Sequence, residues 1–187
     1  MNILEYYYKS IIKYNLINKF SYDSLKKIPK MKKIVLNFNC KNSELKNLAI
    51  AFIMLELITT NKTVTIKKSK NSNIFIKTRN GHPVGCTVIL KNKNLYVFFF
   101  KLLVNILPIL KDFKGIVLNK NKKDFKSFEF SLKELETNHY LFNNLPPLNV
   151  NIITNAKTKK ELSFLISSLK IPLIKNIKSN NNSIGRV

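Results

Sequence analysis

Between Lys32 and Cys40 the chain reads KKIVLNFNC. Its apolar residues Ile34, Leu36 and Phe38 alternate with Lys33, Val35, Asn37 and Asn39. A period of two sends alternate side chains to opposite sides of a strand, so the segment predicts a strand with one core face and one polar face. A helical rhythm precedes it: from Asn2 to about Lys19, Ile3, Tyr7, Ile11 and Leu16 recur at about one turn. Ser43 can cap a second helix whose expected core stripe is Leu45, Leu48, Ala49, Phe52 and Leu55. Thr63–Lys67 and Ile74–Lys77 read as strands separated by the polar loop KSKNSN, and Asn80-Gly81 with Pro83 marks a further turn. Cys86–Lys91 is another strand, with Cys86, Val88 and Leu90 on one face and Thr87, Ile89 and Lys91 on the other. A long helix follows, with Leu95, Phe98, Phe99, Leu102, Leu103 and Ile106 inward and Pro108 kinking or ending it. Phe125–Leu132 and Val150–Thr154 are later strands. Thr158 and Glu161 form a capping box ahead of Leu162, Leu165, Ile166 and Leu169.

Helices alternate loosely with strands, and several strand pairs have short connections. The expected architecture is α+β: a mostly antiparallel sheet with helices packed on one face and the other face open. Lys33, Asn37, Thr65, Lys67, Thr87 and Lys91 fall on that second face. A face of Lys, Asn and Thr suits a phosphate backbone and the 2′-hydroxyls of RNA. Residues 1–175 read as one domain, and the Asn- and Lys-rich residues 176–187 as a flexible tail.

Charge narrows the class of partner. The 187 residues carry 33 Lys plus Arg against 10 Asp plus Glu, a net charge of +23. Such a chain attracts polyanions: nucleic acid first, with an anionic membrane surface or an acidic protein as the other candidates. Arg79 and Arg186 are its arginines and every other cation is Lys. Abundant Lys, Asn and Ile is also what an AT-rich genome produces.

The same residues give little to catalysis. Cys40 and Cys86 are too few and too far apart for a zinc site; they read as two small buried thiols, with one disulfide as the alternative. His82 and His139 have no nucleophile or acid in a recognisable motif, Glu134 and Glu136 read as a solvated edge, and Gly81, Gly85, Gly115 and Gly185 form no phosphate loop. No catalytic residue, metal or cofactor is therefore expected. Phe98, Phe99 and Phe100 read as core, whereas Tyr6, Tyr7 and Tyr8 leave one ring available to a nucleotide. The runs Ala49–Ile58 and Leu95–Leu110 are too short or too interrupted to span a bilayer, and no targeting segment is visible.

Against this background GHPVGCTVILKNKNLYVF (Gly81–Phe98) resembles a signature of universal large-subunit ribosomal protein five, the 5S-rRNA-binding protein of the central protuberance. KKIPKMKKIVLNFN (Lys26–Asn39), ILPILKDFKGI (Ile106–Ile116), FSLKE (Phe130–Glu134) and VNIITNAKTKKELSFLISSL (Val150–Leu169) follow in the family's order and spacing. The resemblance covers the chain from about Tyr6 to Lys175. It implies a structural protein that holds 5S rRNA on its open sheet face and docks it to large-subunit rRNA and neighbouring proteins. It also implies a loop that reaches P-site tRNA and a bridge to a small-subunit head protein.

Residue by residue, Asn37 matches an Asn among the family's 5S contacts. Lys91 stands for the usual Arg, keeping charge but losing the bidentate fork. Ile89 replaces a Thr of the RNA face, and Thr87 a typical Lys. Lys67 and Lys68 lie in the basic strand-to-loop segment. The tRNA-reaching loop corresponds to Lys68, Ser69, Lys70, Asn71, Ser72 and Asn73, with its tip from Lys70 onward. Gly115, with Lys111 and Lys114, matches a basic turn near the subunit bridge. A mitochondrial ribosome is the expected location, with a plastid or bacterial ribosome as the alternative.

Two other functions compete. An RNA-processing enzyme needs a cluster of acids, and the carboxylates are scattered. A protein lying on an anionic membrane needs a basic amphipathic helix, for which the first helix with Lys9, Lys13 and Lys19 is the candidate. The leading reading involves no membrane.

Overall fold

The alternation around Phe38 is realised as strand β1, Met31–Asn39, with Ile34, Leu36 and Phe38 fully buried. The computed structural model describes residues 3–40, 45–60, 63–72, 74, 78–109, 115–117, 126–132 and 146–174. β1 lies at the centre of an antiparallel sheet with β2 (Thr65–Lys68), β3 (Pro83–Lys91), β5 (Ser127–Leu132) and β6 (Leu148–Thr154), in the order β2-β3-β1-β6-β5. A small parallel pair joins β4 (Ile116–Val117) to β7 (Leu173–Ile174). The α+β architecture with a mostly antiparallel sheet is as the pattern implies.

The hairpin between β2 and β3 differs from its sequence reading. Ile74 lies in a turn and is almost wholly exposed, not in a strand, and Phe75, Ile76 and Lys77 lie outside the described residues. β3 begins at Pro83, earlier than the alternation marks, and already supplies the partner of β2. Backbone bonds from Ser69 N–H to the His82 carbonyl (2.8 Å) and from Gly81 N–H to the Ser69 carbonyl (3.0 Å) then close the loop at its base.

Helices line one side of the sheet. α1 covers residues 3–19, but Tyr8–Ile12 forms a π turn inside it. The wider turn shifts the phase, so Tyr8, Ile12 and Leu16 face the core while Ile3 and Ile11 are exposed. The regular 3.6-residue period had placed Ile3 and Ile11 inward. Tyr8 settles its buried hydroxyl by donating to the Pro29 carbonyl at 2.7 Å.

α2, Leu45–Thr59, packs on β3 through Leu48, Ala51, Met54 and Leu55. Leu45 and Ala49, assigned to the core by spacing, are exposed. The helix is apolar on every side, so the pattern does not select a face. α3 spans residues 92–109, and Leu95, Phe98, Phe99 and Leu102 bury its inner side against β1 and β3. It continues through Pro108, preceded by a π turn at Leu102–Ile106. Widening the turn is one way a helix accommodates the ring and the missing donor of proline.

α4, Lys159–Ser168, begins at the expected capping box. Thr158 Oγ1 accepts from Glu161 N–H at 3.3 Å, and Glu161 Oε2 accepts from Thr158 N–H at 3.2 Å. Thr158→Ala is expected to destabilise the fold by about 1 kcal/mol, read as a lower urea midpoint with an unchanged slope. Phe125 and the segment 176–187 lie outside the described residues.

Candidate nucleic-acid interface

Strand register decides which side chains meet on the side of the sheet away from the buried residues of β1. Asn37 pairs with Thr87 on β3 and with Asn149 on β6; Thr87 pairs with Thr65, and Asn149 with Ser131. One polar row, Thr65–Thr87–Asn37–Asn149–Ser131, thus crosses all the strands of the large sheet. The next row is Ile89–Val35–Asn151–Glu129, and the third is Lys91–Lys33–Ile153–Ser127. Lys67 lies beyond the first row, opposite Gly85.

Of the residues expected on this face, Thr65, Lys67 and Lys91 are exposed, and Lys33 and Asn37 are half-buried. Thr87 is the exception. It is buried between its neighbours, with its Oγ1 2.9 Å from Thr65 Oγ1. Its hydroxyl is already engaged, which leaves little of it for a ligand. Ile89, where the resemblance implies Thr, presents an apolar side chain that is 52% exposed.

Asn149, Asn151 and Ser131 complete the face on β6 and β5 and are absent from the residues expected there. The signal for two of them was available, because Asn149 and Asn151 alternate with Val150 and Ile152 in the same way as β1 does.

Two features of the face stand out chemically. Lys33 and Lys91 are direct cross-strand partners, and like charges placed opposite one another destabilise a sheet until an anion joins them. Asn37 donates its Nδ2–H to Asn39 Oδ1 at 2.8 Å, but Asn37 Oδ1 is buried without a hydrogen-bond partner among the described residues, as is Asn151 Oδ1. An acceptor held like this is satisfied by an incoming donor such as a hydroxyl or amino group. Together the rows offer cations for phosphate and acceptors for sugar or base.

The loop residues divide between strand and turn. Lys68 ends β2 and Ser69 closes the hairpin base, with its Oγ donating to the Asn71 carbonyl at 2.6 Å. Lys70, Asn71 and Ser72 are exposed, and Asn73 is outside the described residues. So are Lys111 and Lys114. Gly115 is described, with φ +119° just ahead of β4, where a Cβ would come 2.8 Å from the Pro172 carbonyl oxygen. Its glycine is explained by this close approach to the chain entering β7.

His82 is exposed in its turn, and His139, Glu134 and Glu136 lie outside the described residues. Cys40 and Cys86 are free and buried, and burial, followed by the neighbouring Cys40 thiol, pushes Cys86 up to about 11. No group of His, Cys, Asp and Glu suited to a metal occurs among the described residues. On α1, Lys9 is paired with Glu5 at 2.7 Å, and Lys19 sits 4.2 Å above the Phe164 ring. That weakens the case for a basic membrane-binding face there. No helix among the described residues is long and apolar enough to cross a membrane.

Residues 83–173 match the model of the C-terminal region of the ribosomal protein L5 family. The chain is also 36% identical over 183 residues to the large ribosomal subunit protein uL5m of Reclinomonas americana, covering 94% of this chain and 100% of that one. The chain belongs to the uL5 family. Bacterial uL5 proteins are similar too: that of Wigglesworthia glossinidia brevipalpis is 34% identical over 181 residues, with 94% and 100% of the two chains covered. That of Nitrosomonas europaea is 33% identical over 176 residues, with 91% and 97% covered. As a uL5 family member the chain is a structural protein of the large ribosomal subunit and not an enzyme. Its partners are accordingly ribosomal RNA and ribosomal proteins.

Proposed function

We propose that the outer sheet face binds 5S rRNA at the central protuberance. The observation that carries this reading is the juxtaposition of the Lys33–Lys91 pair with the polar row holding the unpartnered Asn37 Oδ1. Phosphates would relieve the repulsion between the two lysines. A 2′-hydroxyl would donate to Asn37 Oδ1, a contact DNA lacks. Asn149, Asn151 and Ser131 extend the same surface across β6 and β5. Ile89 contributes apolar contact with a sugar or base in place of a hydroxyl.

The remaining roles follow from the family resemblance. The Lys68–Asn73 loop reaches P-site tRNA, a role its exposed lysines suit. The basic turn of Lys111, Lys114 and Gly115 helps bridge to a protein of the small-subunit head. Residues 1–175 act as one ribosomal-protein domain, with 176–187 as its tail. The mitochondrial relative, together with a composition rich in Lys, Asn and Ile, supports a mitochondrial ribosome.

Asn37→Ala tests the site. Its side chain bonds only that of Asn39 in the described fold, so folding should be retained while 5S affinity falls roughly tenfold, the equivalent of one hydrogen bond near 1.4 kcal/mol. Filter binding at physiological salt reads the effect. Equal affinity of wild type and variant would remove Asn37 from the interface.

A further inference from the structure

α2 has a second apolar side that the other described residues leave uncovered. Leu48, Ala51 and Leu55 face the sheet, whereas Leu45, Ile53 and Leu57 are 70%, 51% and 61% exposed, and Ala49 between them is exposed as well. Positions 45, 49, 53 and 57 are four apart and wind up the helix as one shallow spiral roughly 18 Å long, at 1.5 Å per residue. A helix that is apolar all round is normally covered on both sides, and a continuous apolar patch on a surface marks a place of contact.

The charge of this helix indicates what covers it. The chain carries 33 basic residues, yet the 15 residues of α2 include one Lys and one Glu and no other charge. A stripe without cations has nothing with which to neutralise the phosphates of RNA. A second copy would bring another net charge of +23 against the first. The stripe also lies on the helical side of the sheet, opposite Lys33, Asn37 and Lys91. Ile66, half exposed on the edge strand next to Cys86, adds apolar ground on that same side. What complements an uncharged apolar stripe on a strongly basic protein is an uncharged apolar protein surface.

We propose that the Leu45–Ala49–Ile53–Leu57 stripe is the docking face for an apolar helix of a neighbouring large-subunit protein. This rests on the ribosomal reading and gives the domain two sides, one for RNA and one for protein.

The test uses assembled large subunits containing the full chain with the photo-crosslinker benzoylphenylalanine in place of Ile53. Irradiation should join position 53 to one ribosomal protein, through a peptide of apolar sequence. A second chain, carrying Ile53→Lys with Leu57→Lys, should enter subunits with a normal content of 5S rRNA but reduce the occupancy of that protein several-fold. Crosslinks to RNA, to another copy of this chain or to nothing would overturn the proposal, as would unchanged occupancy in the lysine variant. The crosslinking chain keeps an apolar residue at the site, so it remains informative if the lysine variant fails to fold. A wild-type chain absent from large subunits would instead sink the ribosomal reading on which the proposal stands.

Discussion

Gly85→Ala is expected to be among the most destabilising small substitutions in the sheet. Gly85 sits on β3 between Asn39 of β1 and Lys67 of β2. A Cβ there would run into the Phe38 carbonyl oxygen, with the Phe38 carbonyl carbon and Asn39 Cα close behind. Those are backbone atoms, and they have little room to yield. Phe38 is fully buried and paired with both Cys86 and Leu148, and Cys40 N–H bonds the Val84 carbonyl at 3.0 Å on the other side. Relieving the clash means separating β1 from β3 where β1 ends. Overpacking of this kind costs about 1–3 kcal/mol, and the backbone obstacle puts it at the upper end. Against a total stability of about 5–15 kcal/mol that is a large share. Urea unfolding should show a clearly lower midpoint, and amide exchange should speed up first in β1 and β3. A midpoint equal to wild type would mean that the two strands are less tightly apposed than described.

Removing both opposed cations, Lys33→Ala with Lys91→Ala, should move stability and RNA affinity in opposite directions. The free protein loses a cross-strand repulsion and becomes slightly more stable, by a few tenths of a kcal/mol. On the proposed reading, binding to 5S rRNA loses two phosphate contacts. The slope of log affinity against log salt should flatten by roughly 1.4–1.8, the sum of two contacts at about 0.7–0.9 each. Residues with a purely structural part would lose stability and binding together. An unchanged salt slope would show that the lysines do not meet phosphate.

How far the molecule was legible depended on whether local rhythm carried the information. β1 and α4 were readable because alternation and the capping box are written within a few residues. α1 was misphased because a π turn at Tyr8–Ile12 breaks the period on which the reading relied. The exposed side of α2 was hidden because Leu45, Leu48 and Ile53 are equally apolar, and only the position of β3 determines which of them turns inward.

The candidate interface was half legible for a related reason. Alternation assigned Asn37, Thr65 and Lys91 to a common side, but neighbours within a sheet come from register. Register buries Thr87 beneath Thr65, sets Lys33 against Lys91 and brings Asn149 beside Asn37. None of these pairings has a signature in a single segment.

The position of β1 between β3 and β6 has a consequence for the newborn chain. Synthesis runs from the N-terminus, so β1, β2, β3 and α3 emerge while Leu148–Thr154 is still unmade. Until it arrives, β1 carries a free ladder edge at the middle of the molecule, the kind of edge that other chains can pair with. Closing it requires a contact between distant parts of the chain, which is slow to form. The polar row is continuous only once Asn149 lies beside Asn37. An unfinished or interrupted copy therefore carries only the Thr65–Thr87–Asn37 part of the polar row, without its members on β6 and β5.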